Sequence, residues 1–382
     1  MLDFNKISKC VALASGVVSL SLSSMSHAFD FKAGESDVSI YGYAKLDMIY
    51  DIDADLGNSA GLSKVRLDGV DGSDGHMTMH ALQSRFGFAT STPISGSKLK
   101  TRVEGDFYGP NGTFRLRHAY GQWNGILAGQ TWINFYGLVS GTPTIDFAGV
   151  GGRPRGNRQA QLRYTTGNFS AAFEDADDKG GLPDTAGAKA TLPDITLRYT
   201  DRSGHLKYSI SGVGRYLAYD NAGLAGASTD DSAFGWGLGA EVSLDINDDF
   251  TVRGGLVHGE GVGGYMSSNP GGTGYVDSNG NLELITATGY TVGASLKAGP
   301  GSINAAYSYS EADLDDNPAY RGTGSISSPG KDDTYEGLWL NYIWSPASKI
   351  NYGLELSWHS RETAGGFEGD AIRLQGMAKY SF

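Results

Sequence analysis

The sequence predicts an all-β fold, a transmembrane antiparallel β-barrel of about sixteen strands with short periplasmic turns and long extracellular loops. Three observations support this prediction. Apolar and polar residues alternate along many segments of about ten residues, which is the pattern of a β-strand with one buried face. Short turns and long polar loops follow these segments in alternation. Charged residues lie in the middle of the polar faces, where a packed interior would not accept them unpaired.

The N-terminus has the pattern of a secretory signal peptide. Lys6 and Lys9 precede a short apolar run, and Ser26-His27-Ala28 forms a small-residue cleavage signal. We therefore expect residues 1–28 to be removed and residues 29–382 to form a single outer-membrane β-barrel domain. The single Cys, Cys10, lies in this signal, so the mature chain would contain neither disulfides nor Cys-ligated metals.

The strands follow in order along the rest of the chain. Alternation is clearest in residues 39–50, 99–107, 350–359 and 372–382. Further strands begin near Met77, Phe114, Ile126, Arg158, Asn168, Asp194, His205, Ala233, Phe250, Thr288, Ser302 and Tyr335. Each has about the ten residues that a tilted strand needs to cross a membrane.

The connections favour a membrane barrel over a soluble sandwich. Tight turns such as Asn124-Gly125 follow the even-numbered strands, and long polar loops such as residues 51–76 follow most odd-numbered ones. A soluble sandwich gives no reason for this sorting, whereas outer-membrane barrels have short turns at one end and long loops at the other. We expect the third long loop, near residues 136–157, to fold into the lumen, because its glycines permit tight folding and Pro154 fixes one backbone angle.

The chemistry of the two strand faces indicates what surrounds each. Since charged side chains on one face must be hydrated, that face lines water and the apolar face contacts lipid. About sixteen strands enclose an aqueous channel. Aromatic residues near the strand ends of the apolar face match an interfacial belt: Tyr50, Tyr199, Tyr342, Trp344, Trp358 and Tyr380. The formal net charge of −12 argues against nucleic acid as a partner.

Arginines dominate the predicted water-facing side and are the candidate pore and substrate-binding residues: Arg85, Arg102, Arg115, Arg117, Arg153, Arg155, Arg158 and Arg163. Guanidinium groups stay charged and match carboxylates, so a wall of them would concentrate anions while binding them weakly enough for release. In the alternative interpretation these arginines pair with carboxylates across the lumen, namely Asp47, Glu104, Asp106, Glu174, Glu241 and Glu355. That arrangement would give a non-selective general-diffusion channel.

The long loops are acidic and are expected to contact outer-membrane lipid and lipopolysaccharide through divalent cations. Asp51-x-Asp53-x-Asp55 begins like a calcium-binding loop, but Leu56 and Leu62 occupy the positions of the required Gly and bidentate Glu. We predict neither a metal site nor a cofactor.

Several motifs resemble those of trimeric Gram-negative outer-membrane porins, most closely the DcaP-like branch. The motifs are Ser84-Arg85-Phe86-Gly87-Phe88, residues 102–107, residues 115–121, residues 129–132, residues 152–159 and the C-terminal Phe382. The resemblance implies a homotrimer with one passive diffusion channel per subunit and a preference for small anions such as dicarboxylates. DcaP-like members often carry an N-terminal coiled-coil segment, and residues 29–38 are too short for one.

The sequence also bears on two other classes of function. An enzyme is not expected, because the chain has no HExxH and no GxSxG motif. A surface receptor or adhesin would need a plug, a passenger domain or a very narrow lumen. Detectable turnover of phospholipid or peptide would support an enzyme, and a bilayer recording without open-channel current would favour a receptor or adhesin.

Overall fold

The computed structural model describes residues 29–176, 182, 187–220, 230–314 and 320–382. The predicted signal peptide, residues 1–28, lies outside the described residues. All the longer elements are β-strands. The first half contains β1 (Phe29–Ala33), β2 (Ser36–Asp51), β3 (His76–His80), β4 (Arg85–Ile94), β5 (Ser97–Asp106), β6 (Arg115–Trp123), β7 (Ile126–Trp132), β8 (Arg158–Thr166), β9 (Phe169–Glu174), β10 (Ala188–Ala190) and β11 (Asp194–Ser203).

The second half continues in the same way, with β12 (Leu206–Asp220), β13 (Asp230–Asp245), β14 (Phe250–Glu260), β15 (Gly274–Val276), β16 (Leu282–Leu284), β17 (Thr286–Ala298), β18 (Gly301–Ala312), β19 (Asp332–Ala347), β20 (Ile350–Thr363) and β21 (Glu368–Ser381). Short 3-10 turns occur at Leu62–Lys64, Pro110–Gly112 and Gly263–Tyr265. Within the described residues, no helix is long and apolar enough to cross a membrane.

The strands close into a barrel because β2 pairs on both of its edges. Tyr43 in β2 is the register partner of Arg85 in β4 on one side and of Ser381 in β21 on the other. Three short strands each continue a longer strand along the same neighbour, so they add no further strand to the barrel. β1 and β21 pair with one edge of β2, β3 and β4 pair with its other edge, and β10 and β11 pair with the same edge of β12. The remaining hairpin, β15–β16, forms a small separate sheet. The result is a closed antiparallel barrel of sixteen strands, which confirms the predicted fold class.

The alternation in the sequence corresponds to the two faces of this barrel. On β19, Leu338 and Leu340 are 50% and 52% exposed, whereas the intervening Trp339 and the following Asn341 are each 3% exposed. Apolar side chains therefore face outward and the buried, mostly polar set faces inward, as expected for a strand between lipid and lumen.

The turns at one end are tight, as predicted. Trp123 and Ile126 are paired around Asn124 and Gly125, which both have positive φ (48° and 82°), so the hairpin has a type I′ geometry. Close to this end the aromatic belt is continuous across three strands. Tyr342 stacks on Trp344 at 5.3 Å between ring centroids, and Tyr352 joins Trp344 to Tyr380 at 5.8 and 6.3 Å.

One feature of the interior was not predicted from the sequence. An apolar cluster lies among the inward faces, and it includes Ile133, Phe135, Val257, Val262, Tyr265 and Met266, each completely buried. Val257 belongs to β14, but the other five of these residues belong to connections between strands. Part of the barrel interior is therefore occupied by packed loop residues rather than by water.

Candidate functional site

The third loop, defined here as residues 133–157 between β7 and β8, contacts the inward faces of strands far apart around the barrel. Its main-chain amides donate to three buried glutamates. Asn134 N lies 2.5 Å from Glu174 in β9, and Ser140 N lies 3.0 Å from Glu241 in β13. Ile145 N and Asp146 N lie 2.8 and 2.9 Å from the two carboxylate oxygens of Glu355 in β20.

These bonds satisfy carboxylates that would otherwise be costly to bury. Glu174, Glu241 and Glu355 are only 1%, 4% and 2% exposed. The sequence suggested them as partners of arginines in the alternative interpretation, and in the structure they hold the main chain of the third loop instead. Asp47, from the same set, pairs with Lys45 at 2.8 Å.

Arg373 ties the third loop to the end of β2, where the first long loop (predicted at residues 51–76) begins. Its guanidinium is completely buried and donates to Asp51 at 2.6 Å and to Asp146 of the third loop at 2.7 Å. Asp146 also accepts a hydrogen bond from Ala60 N at 3.0 Å. The carboxylate of Asp51, the first residue of the calcium-like pattern, is thus paired with the guanidinium of Arg373. Among the described residues, no group of three or more His, Cys, Asp or Glu side chains is arranged to hold a metal ion.

A second segment, residues 261–273 between β14 and β15, packs against the third loop; we call it the inner segment. Its residues Tyr265 and Ser267 form main-chain hydrogen bonds of 2.9 Å with Arg155 and Arg153. The hydroxyl of Tyr265 lies 3.1 Å from Glu174 and 3.0 Å from Asp194. Burial and these two carboxylates raise the pKa of the Tyr265 hydroxyl well above its ordinary value, so it acts as a neutral donor.

A cavity of about 770 Å³ opens between the third loop, the inner segment, the first long loop and strands β6 to β8. Five of the eight candidate arginines line it: Arg115, Arg117, Arg153, Arg155 and Arg158. Asp146 is the one acidic side chain among these lining residues, and it is neutralised by Arg373. Arg85, Arg102 and Arg163 do not line this cavity.

The eight candidate arginines divide into two groups by charge pairing. Four of them share two buried carboxylates: Arg85, Arg102 and Arg117 contact Glu104, and Arg115 and Arg117 contact Asp106. The other four, Arg153, Arg155, Arg158 and Arg163, have no carboxylate within salt-bridge distance in the described part of the chain. The cavity wall therefore carries more positive than negative charge.

Aromatic rings hold two of the unpaired guanidiniums in place. Arg158 lies 4.7 Å above the ring of Trp132, and Arg153 lies 5.3 Å from the ring of Tyr136. Such cation–π contacts fix a guanidinium without neutralising it. Trp132 lies in one of the motifs of the family resemblance (residues 129–132), but the sequence predicts neither ring as a partner of an arginine. Sequence analysis could have found the inner segment, because Val262, Tyr265 and Met266 are apolar residues in a loop that is otherwise polar.

A family model described as DcaP outer membrane protein matches residues 15–382. The outer membrane channel DcaP of Acinetobacter baumannii superposes with a TM-score of 0.78 at 24% identity, over 93% of this chain and 99% of that chain. No curated protein matches the chain in sequence.

More distant structures share the barrel. An anion-selective porin from Comamonas acidovorans has a TM-score of 0.57 at 16% identity, over 91% of this chain and all of that chain (100%). OmpF of Salmonella typhi has a TM-score of 0.57 at 11% identity, over 93% of this chain and 100% of that chain. At these identities the similarity concerns the fold.

Proposed function

The chain belongs to the DcaP outer membrane protein family, and from this membership we propose that it is a passive diffusion channel for small hydrophilic solutes that prefers anions such as dicarboxylates. Its place is the outer membrane, where porins of this fold lie. The third loop forms the constriction, and the anion path runs along the candidate arginines.

One observation carries the proposed anion preference. Five guanidiniums line the cavity, and the single carboxylate among the lining residues is already paired with Arg373. Fixed positive charge in a narrow channel raises the local concentration of anions, and weak contacts at several sites allow release. Arg153, Arg155 and Arg158 are the best placed, because none of them has a carboxylate partner in the described structure.

The proposal also covers biogenesis and assembly. Residues 1–28 act as the signal peptide, three copies assemble with one channel each, and the acidic long loops contact lipopolysaccharide through divalent cations. The last point is supported by Asp68 and Asp71, which are exposed in the first long loop.

A reversal-potential measurement tests the anion preference. The double variant Arg155→Glu/Arg158→Glu, placed in a planar bilayer with a potassium chloride gradient, should shift the reversal potential from the anion side to the cation side. The control is Arg202→Glu/Lys297→Glu, which changes the net charge equally at side chains that are 64% and 63% exposed and outside the cavity. Equal reversal potentials in the parent, the variant and the control would contradict the assignment of these arginines.

A specific observation supports general diffusion as the second candidate. Glu104 and Asp106 together contact four of the eight arginines, which places both charge signs on one wall. A non-selective channel would give a reversal potential close to zero for the parent chain in the same experiment.

A further inference from the structure

The inner segment and the third loop form a short antiparallel pairing inside the barrel. Pro154 is bridged to Met266, and the flanking bonds run from Arg155 N to Tyr265 O and from Ser267 N to Arg153 O, both 2.9 Å. The two arginines that flank Pro154 line the cavity. Their main-chain positions are therefore set by the inner segment.

The third-loop segment of this pairing also packs against the barrel wall. Gly152 is so close to β17 and β18 that an added Cβ would lie 2.2 Å from the carbonyl oxygen of Tyr290 and 2.4 Å from that of Tyr309. Gly152 N also donates to Ser267 O at 2.9 Å. The strip of the third loop that carries Arg153 and Arg155, residues 152–155, is thus confined between the barrel wall and the inner segment.

Tyr265 connects the inner segment to the beginning of the third loop. Its hydroxyl contacts Glu174, which accepts the amide of Asn134, and Asp194, which accepts Arg215 Nε at 3.1 Å. Its ring packs edge-on against Phe135 at 5.6 Å between centroids. Tyr265 is completely buried, as are Val262 and Met266.

We propose that residues 261–273 are a second, fixed part of the constriction, which positions Arg153 and Arg155 and stays in the lumen while the channel conducts. The segment also contributes Gly263, Gly264 and Asn269 to the cavity wall directly. Tyr265 is a positioning residue, because it acts on the arginines through the main chain. This inference rests on the proposed channel function.

A designed disulfide tests whether the segment stays in place. In an antiparallel pair flanked by hydrogen bonds in this way, the Cα atoms are about 4.5 Å apart, within the range of about 4.4–6.8 Å that a disulfide spans. The variant Pro154→Cys/Met266→Cys, in a full chain carrying Cys10→Ser, should cross-link under mild oxidant. Mobility on a non-reducing gel measures the cross-link.

The current of the same variant is then compared before and after reduction, so effects of the substitutions themselves cancel. We expect equal conductance and equal reversal potential in both states. A folded barrel that does not cross-link would overturn the proposal, as would a current that is lost on oxidation and restored by dithiothreitol. Absence of anion preference in both states would instead count against the proposed function, while the cross-link would still report on the segment.

The variant Tyr265→Phe tests positioning separately and keeps the ring. It should lower the ratio of anion to cation permeability, because the strip carrying Arg153 and Arg155 loses its connection to Glu174. The control Tyr342→Phe removes a hydroxyl that donates to Ala298 O at 2.9 Å in the aromatic belt, and it should leave the ratio unchanged. If Tyr265→Phe lowered only the urea midpoint of unfolding and left the permeability ratio unaltered, the positioning role would be wrong.

Discussion

Glycine at position 152 shows how one residue determines the path of the third loop. Its φ is +64°, and the space where a side chain would project is occupied by two carbonyl oxygens of the barrel wall. Both the backbone conformation and the close approach therefore require a residue without a Cβ. Gly167, at a periplasmic turn, has φ +54°, and nothing lies within 4 Å of the added Cβ. A side chain at this position would therefore carry the cost of the backbone conformation without a steric conflict.

Substituting these two glycines separates strain from steric conflict. Gly167→Ala should lower the free energy of unfolding by about 1–2 kcal/mol, the cost of a left-handed conformation for an L-residue. Gly152→Ala should cost about 1–3 kcal/mol more, because the methyl group must displace packed main chain. Urea titrations in detergent, followed by tryptophan fluorescence, measure both values. Equal losses for the two variants would show that the third loop moves away from the wall without penalty.

Among the elements, the third loop is held by hydrogen bonds from its own main chain. Glu241 alone accepts from Gly137 N, Val139 N and Ser140 N, and from the Ser140 hydroxyl at 2.7 Å. A carboxylate can accept hydrogen bonds at both oxygens. A glutamine side chain has only one acceptor oxygen, and its NH2 group would face some of the same N–H and O–H donors without being able to accept from them. The Glu241 side chain fits this loop because both of its oxygens accept hydrogen bonds.

The variant Glu241→Gln should loosen the third loop within an intact barrel. Each buried group left without a partner costs about 1–3 kcal/mol, so we expect faster proteolysis between residues 137 and 146 and larger current fluctuations. Glu283→Gln, an exposed glutamate in β16, is the matched control. Protection from protease equal to that of the control would show that the bonds to Glu241 do not hold the loop.

The strands could be predicted from the sequence, whereas the partners of the inward-facing carboxylates could not. The alternation of Leu338, Trp339, Leu340 and Asn341 fixes which side chains face inward, because the period of a strand is two residues. It does not determine whether Glu241 meets a guanidinium or a main-chain amide. That choice depends on where the third loop lies, which is decided by tertiary contacts such as those of Gly152 and Tyr265.

At the scale of the whole molecule, the net charge of the chain is opposite in sign to the charge that lines the cavity. The chain has a formal net charge of −12, yet the cavity is lined by five arginines and one neutralised aspartate. Asp68 and Asp71 illustrate the other part of this distribution, since they are exposed in a long loop. The net charge argues against a nucleic-acid partner, but it gives no information on the lumen, for which the inward-facing positions must be considered separately.

An anion preference that arises from the field of the cavity arginines depends on ionic strength. The Debye length is about 10 Å at 0.1 M salt and about 3 Å at 1 M, so guanidiniums on the wall act across the lumen only in dilute solution. Reversal potentials measured at a constant concentration ratio should show strong anion preference near 0.1 M and a much smaller preference near 1 M. The Arg155→Glu/Arg158→Glu variant should show the opposite sign at low salt and converge with the parent at high salt. A preference that persisted unchanged at 1 M would mean that solutes are selected by direct contact with individual groups, and that the summed field of the arginines is not the cause.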